Sequence, residues 1–312
     1  MDKYTKAFWN QKGKTSDKWE SYLPAYDSLL AQLEISVETI VEIGVQNGGS
    51  LEVWAAVAPE AKKIIGIDID PMCANLTFDD PRISVKVTDG TLEDFTRTLK
   101  DSQTQISILV DDGSHISRDV ISYFSQLWQF ITPGGKYIIE DLSTSYWPFY
   151  QGGLNRADTS MQFLKRLTDV INLEHWTTNN LLSDHLGDFP LESGSFGSPD
   201  FTDILSMEFR NSMCVITKRL PDEPEGIGRR QVTGVESLVE PNAKIGNGFS
   251  LSETGYLPSG SDESLGETEL EKVMHLNQRL QARVADLENS GSWKLTKPLR
   301  RLVDVFSLLK GK

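Results

Sequence analysis

"TIVEIGVQNGGSLEVWAAVA", residues 39–58, runs from an apolar segment through a glycine-rich turn into a helical pattern. Ile40, Val41 and Ile43 before Gly44 are apolar without alternation, which marks a strand covered on both faces. The same change of period recurs through "KKIIGIDID", "RISVKVTD", "ISILVDDG", "DVISYFSQLWQFI" and "GKYIIEDL". Strands alternating with helices predict a parallel sheet between helix layers, a doubly wound, Rossmann-like α/β domain. Upstream, "WESYLPAYDSLLAQL" (19–33) predicts an amphipathic helix, and downstream "MEFRNSMCVITKRL" (207–220) predicts a late strand that closes the sheet. The domain is expected to span residues 1–219.

A chain of 312 residues can hold one such domain and an appendage. Its net charge of −14 argues against a nucleic-acid partner. Cys73 and Cys214 are too few for a disulfide framework and lack zinc-ligand spacing, which fits a reducing cytoplasm. "MDKYTKAFWNQKGK" has no signal-peptide core, and no segment approaches the ~18 apolar residues of a membrane span. The expectation is a cytoplasmic protein, neither exported by that route nor integral.

Residues 220–264 are rich in Gly, Pro, Ser and acids without sustained periodicity, which predicts a linker. In 265–290, Leu270, Val273, Asn277, Leu280, Val284 and Leu287 recur at heptad spacing. They predict a short coiled coil and a homo-oligomer, or a single helix packed on the main domain. The tail, 291–312, carries six Lys or Arg against one Asp, with Leu299, Leu302, Val303, Phe306 and Leu309 on one helical stripe. Such a helix suits a membrane surface, an acidic partner or docking within the oligomer, and adds a peripheral site at the inner face of the plasma membrane to the expectation.

Open sheets of this kind bind ligands at the carboxyl ends of their strands. There, Gly44 and Gly48 let the backbone turn and approach a ligand, and the following helix N-terminus favours negative charge. Gln46 replaces the middle glycine of a dinucleotide loop, so a carboxylate suits this turn better than a pyrophosphate. A nicotinamide-dependent oxidoreductase is disfavoured for the same reason. Asp68 and Asp70 end the second strand and suit ribose hydroxyls. Asp89 suits an adenine amino group, and Asp111 is a strand-end acid near the cofactor.

Asp112, Glu140 and Asp141 end neighbouring strands, and three carboxylates in one crevice must raise their pKa values or bind a cation. Oxygen ligands without cysteine favour Mg²⁺. His115, within a turn of Asp112, suits a general base. In "TSYWPFYQGG" (144–153), Tyr146, Trp147 and Tyr150 offer aromatic faces for a substrate, with glycine hinges for closure. His175 and His185 belong to no constellation.

"VEIGVQNGGSLEVW", "GIDIDPMC", "VDDGSHISRDV" and "IEDLSTSYW" resemble the class I S-adenosylmethionine-dependent methyltransferases of the macrolide-sugar type, the mycinamicin and macrocin O-methyltransferases, together with bacterial polysaccharide-cluster relatives. The resemblance covers about residues 13–217. It implies metal-dependent transfer of a methyl group from S-adenosylmethionine to a sugar hydroxyl. By that resemblance Asp112, Glu140 and Asp141 match Mg²⁺ ligands and His115 the base. Glu42, Gly44, Ser50, Asp68 and Asp89 fall among cofactor positions, and Asp17, Lys18 and Tyr22 match the N-terminal entry to the cofactor pocket. Ser143 and "QGG" depart from the family pattern near the acceptor. "NSGSWKLTKPLRRL" resembles tails of glycosyltransferases and methyltransferases of surface-polysaccharide clusters. The expected acceptor is therefore a surface polysaccharide such as O-antigen. Rival readings are a secondary-metabolite sugar, or a degenerate scaffold that recruits polysaccharide enzymes.

Overall fold

The computed structural model describes residues 2–88, 92–176, 182–191, 200–224, 226–228 and 233. Most of the linker expected at 220–264, and all of the coiled coil and basic tail expected at 265–312, lie outside the described residues, as does Asp89. Chain order is α1 (Lys3–Asn10), α2 (Tyr22–Ala31), β1 (Thr39–Ile43), α3 (Gly49–Val57), β2 (Lys63–Asp68), β3 (Ile83–Val87), α4 (Glu93–Asp101) and β4 (Ile106–Asp111). It continues through α5 (Ser117–Leu127), β5 (Ile131–Ile139), α6 (Ser160–Ile171), α7 (Leu182–Leu186), β6 (Ile204–Arg210) and β7 (Met213–Lys218). Among the described residues no helix is long and apolar enough to cross a membrane.

The seven strands form one sheet in the order β3-β2-β1-β4-β5-β7-β6. β1 to β5 pair in parallel, and β7 runs antiparallel to both β5 and β6. Every residue of β1 and β4 is buried because alternate side chains enter different layers. Ile40, Ile108, Val110 and Ile138 pack with α1, α2 and α3, whereas Val41, Leu109, Tyr137 and Ile139 pack with α4, α5 and α6. Continuous apolar strands thus result from two helix layers, as the sequence predicts.

"MEFRNSMCVITKRL" departs from expectation: it holds parts of two strands, with a turn at Asn211–Ser212 in which Ser212 has φ 66°. Polar Asn-Ser is the only break in the pattern, and a tight turn needs no more than that. The N-terminal helix also starts later than expected and is preceded by α1. Tyr4 of α1 stacks on Tyr26 of α2 at 4.4 Å, and both meet Trp54 of α3 edge-on. That aromatic cluster fixes the N-terminal segment over the carboxyl ends of the central strands, with Glu52 accepting from the Lys14 amide at 2.8 Å and the Gln11 side chain at 3.0 Å.

The chain order reverses between β1 and β4, and the cleft opens there. Gly44 leaves β1 with φ +88°, and a Cβ on it would lie 2.1 Å from the Asp112 carbonyl oxygen. Gly44→Ala is therefore expected to combine left-handed strain of about 1–2 kcal/mol with a backbone clash. Chemical denaturation should show a lower midpoint, and an unchanged midpoint would mean that the two loops separate freely.

Candidate active site

The cleft is a cavity of about 980 Å³ at the ends of β1, β2, β4 and β5. One end is lined by Gly44, Gln46, Asn47, Asp68, Ile69, Asp70 and Met72, the other by Asp112, Ser114, His115, Glu140 and Asp141. Lys18 and Trp19 of the N-terminal segment line it as well. Glu42, Gly48, Ser50 and Asp111, expected near the cofactor, do not line the cavity. Asp111 is 2% exposed beneath it, where burial pushes its carboxyl up to about 7. Ser50 is buried beside Glu42, and Gly48 faces the Phe78 ring.

Asp68 organises its own loop. Its Oδ2 accepts the amides of Val45 (2.8 Å) and Gln46 (3.0 Å), and its Oδ1 accepts the amide of Asp70 (2.9 Å). Burial works to raise its pKa, yet these donors hold the carboxyl below its usual range. Gln46 takes φ 49° in this turn, between Gly44 and Gly48, which also have positive φ. Part of the acceptor capacity assigned to ribose is therefore spent inside the protein. Asp70 also lines the cavity, with one oxygen accepting from the Met72 amide.

At the other end the strand order brings the predicted acids together. The Glu140 amide donates to the Asp111 carbonyl and the Asp112 amide to the Ile43 carbonyl, so the three strand ends share one register. Asp141 then turns with φ 54°, which sends its side chain outward from that of Glu140. Asp112, His115 and Asp141 each offer a ligand atom within 4.8 Å of the others. Nε2 of His115 lies 3.8 Å from Asp112 Oδ1 and 3.7 Å from Asp141 Oδ2, too far for a hydrogen bond to either.

Glu140 sits deeper. Its Oε1 accepts from the Tyr26 hydroxyl and its Oε2 from the Lys18 ammonium at 2.9 Å. Lys18 also reaches Asp112 Oδ2 at 2.5 Å and Glu42 Oε1 at 3.5 Å, with only 3% of its side chain exposed. The counter-charge that the sequence reading assigns to a metal is thus partly supplied by the chain. Burial works to lower the Lys18 pKa, but Glu140, Glu42 and Asp112 more than offset it and hold the ammonium charged. Burial likewise raises Glu140 and Glu42, with Lys18 opposing. One ammonium cannot neutralise three carboxylates, so a further cation remains favoured. Hard oxygen atoms facing the cavity, with one imidazole, fit a divalent ion such as Mg²⁺.

On its outer side Asp141 Oδ1 accepts from Trp19 Nε1 (2.9 Å) and Tyr22 hydroxyl (2.8 Å). The expected substrate loop borders His115, whose ring lies 6.4 Å from that of Tyr150, and Trp147 lies 6.0 Å beyond. Tyr146 and Trp147 are exposed. The glycines after this loop are not hinges. A Cβ on Gly152 would meet the Ser145 backbone at 2.5 Å, and the amides of Gly152 and Gly153 donate to Trp147 and Ser145. They allow a close turn that fixes the aromatics in place.

Sequence reasoning on the residues alone did not find the role of Lys18, and nothing local marks it. Its carboxylate partners lie 24, 94 and 122 positions away, and a lone lysine after "TSD" carries no pattern of its own.

Residues 41–142 match a protein family described as a methyltransferase domain. The chain is 34% identical over 224 residues to 8-demethyl-8-alpha-L-rhamnosyl tetracenomycin-C 2'-O-methyltransferase of Streptomyces olivaceus, covering 69% of this chain and 55% of that one. It is 32% identical over 160 residues to mycinamicin VI 2''-O-methyltransferase of Micromonospora griseorubida, covering 48% and 39%. Among solved structures it resembles the MycE methyltransferase of mycinamycin biosynthesis in complex with Mg and SAH. That match has a TM-score of 0.54 at 26% identity, over 73% of this chain and 55% of that one. The chain spans about half the length of the curated relatives it matches.

Proposed function

We propose, from the premise that residues 41–142 form a methyltransferase domain resembling the macrolide-sugar O-methyltransferases, that this chain transfers the methyl group of S-adenosylmethionine to a sugar hydroxyl. The observation that carries the reading is the convergence of Asp112, His115 and Asp141 at the far end of a cavity whose other end is lined by Asp68 and Asp70.

When bound, S-adenosylmethionine supplies the methyl and a divalent cation supplies positive charge that lowers the pKa of a hydroxyl held beside it. Asp112 and Asp141 would hold that cation through the oxygens that face the cavity, with Glu140 lining the same wall. Asp68 and Asp70 shape the adenosine end. His115, whose Nε2 lies beside Asp112 and Asp141, would take the proton of the acceptor hydroxyl. Trp147 and Tyr150 give the sugar an aromatic wall and limit water beside His115.

One relative is named for 2'-O-methylation of a rhamnosyl tetracenomycin and another for 2''-O-methylation of mycinamicin VI, which weights the acceptor toward a small glycoside. A second hollow suits the same reading: Leu142, which directly follows Asp141, lines it with Tyr146, Met161 and Phe209, beside Lys165 and Arg210. A polysaccharide end, the alternative acceptor, is separated by assaying release of S-adenosylhomocysteine with rhamnosyl glycosides against O-antigen fragments. Calorimetry that finds no S-adenosylmethionine binding would instead favour the scaffold reading.

Metal dependence has its own outcome. Excess EDTA should lower turnover by about a hundredfold or more, given the several kcal/mol that a bound metal supplies, and Mg²⁺ should restore it. Undiminished transfer in EDTA by metal-free protein sinks the cation assignment.

The oligomeric stalk at 265–290 and the basic tail at 291–312 remain proposals drawn from heptads and charge. Truncation after Arg219 that leaves oligomeric state and liposome binding unchanged removes both.

A further inference from the structure

The carboxylate cluster has an inner and an outer side. The inner side holds Glu42, 1% exposed, whose oxygens make no hydrogen bond of ordinary length, together with Asp112 Oδ2 and Glu140 Oε2. The outer side presents Asp112 Oδ1 and Asp141 Oδ2 to the cavity. The Lys18 ammonium occupies the inner side, and among the described residues it is the one cation within ion-pair distance of Glu42.

We propose that Lys18 is the fixed cation of this cluster, a positioning residue that confines the exchangeable divalent ion to the cavity-facing side. Its three contacts span the ends of β1, β4 and β5, so a single ammonium sets the separation of those ends. By drawing Oδ2 of Asp112 inward it leaves Oδ1 aimed at His115 and Asp141. It also supplies one positive charge to the cluster, so less positive charge is needed from a bound ion.

Lys18 is well restrained for this role. The next residue, Trp19, donates to Asp141, and one turn further Tyr22 does the same, while Tyr26 donates to Glu140. The segment 18–26 therefore touches every acid of the cluster except Glu42 and Asp112 through neutral donors, and touches those two through its one buried cation. A buried carboxylate is costly unless a charge faces it, so the ammonium leaves Glu42 only if a proton or another cation takes its place.

The proposal rests on the cation reading given above, and the test separates the two. Mn²⁺ is titrated into the full chain and into Lys18→Met and Lys18→Met/Glu42→Gln variants, with free Mn²⁺ followed by electron paramagnetic resonance and S-adenosylmethionine affinity by calorimetry. Wild type is expected to bind one Mn²⁺ per chain. Lys18→Met, with a charge removed a few ångströms from the site, should bind a second Mn²⁺ or hold the first about tenfold more tightly. The double variant, relieved of the stranded carboxylate, should return to within about threefold of wild type, and it remains readable if the single variant does not fold. A wild type that binds no Mn²⁺ overturns the cation reading and the proposal together. One Mn²⁺ at equal affinity in wild type and Lys18→Met overturns the proposal alone. So does a double variant far from wild type, or a Lys18→Met protein that loses S-adenosylmethionine affinity with Mn²⁺ binding unchanged, since Lys18 would then grip the cofactor.

Discussion

Replacing His115 by alanine is expected to lower methyl transfer by about 10²–10⁴-fold, the usual worth of a placed general base, while S-adenosylmethionine affinity stays near wild type. A sugar hydroxyl is a poor nucleophile near neutral pH, so loss of its proton must be concerted with, or precede, attack on the methyl carbon. Nε2 of His115 is suited to receive it. The atom faces the cavity and hydrogen-bonds to neither Asp112 nor Asp141, at 3.8 and 3.7 Å. The backbone beneath it is held, with φ 56° at His115 and its carbonyl accepting from Thr144 Oγ1 at 3.1 Å. The imidazole is therefore aimed by its loop and not by the carboxylates. Because His115 also lies within the candidate cation group, the variant distinguishes two roles. A base leaves Mn²⁺ affinity within about threefold, whereas a ligand takes roughly 1–3 kcal/mol of binding with it. Near wild-type turnover in His115→Ala would remove the base assignment altogether.

Much of the fold was legible because its central strands bury both faces. Ile40-Val41, Ile64-Ile65 and Leu109-Val110 are apolar pairs that only two helix layers can cover, and the parallel order β1-β4-β5 follows from right-handed crossovers. The acids Asp112, Glu140 and Asp141 were legible because they directly follow buried strands at their crevice ends, although Asp111, the last residue of β4, stays beneath the cavity. What stayed hidden depended on contacts remote in sequence. The Lys18 ammonium beside Asp112 and Glu140 comes from a segment about a hundred positions away, and Glu42, though near the end of β1, lies below the cavity instead of lining it. The β6–β7 turn was hidden for a different reason. Asn211-Ser212 follows Arg210 in a polar run of three, too short to separate two strands from one. The glycines after Tyr150 looked like hinges because flexibility and close packing require the same residue, and only the Ser145 backbone 2.5 Å from a Gly152 Cβ decides between them.

The second large effect is expected at Asp112. Asp112→Asn keeps the side chain's shape and removes the one charge shared by the inner and outer sides of the cluster. Its Oδ2 loses the ion pair with Lys18, and its Oδ1 becomes a weaker ligand on the cavity side. Turnover should fall by about 10³-fold or more, since a bound metal contributes several kcal/mol to activating the hydroxyl, and Mn²⁺ affinity should fall with it. That second readout sets Asp112 apart from His115, whose loss leaves the ion in place. The two residues serve one event, proton loss from a hydroxyl beside a cation, so their effects should not multiply. Asp112→Asn/His115→Ala is expected to be little slower than the worse single variant, as for groups that act as a unit. A double variant slowed by the full product of the two single effects would mean that the carboxylate and the imidazole act in separate steps. Asp112 would then matter mainly as the inner partner of Lys18.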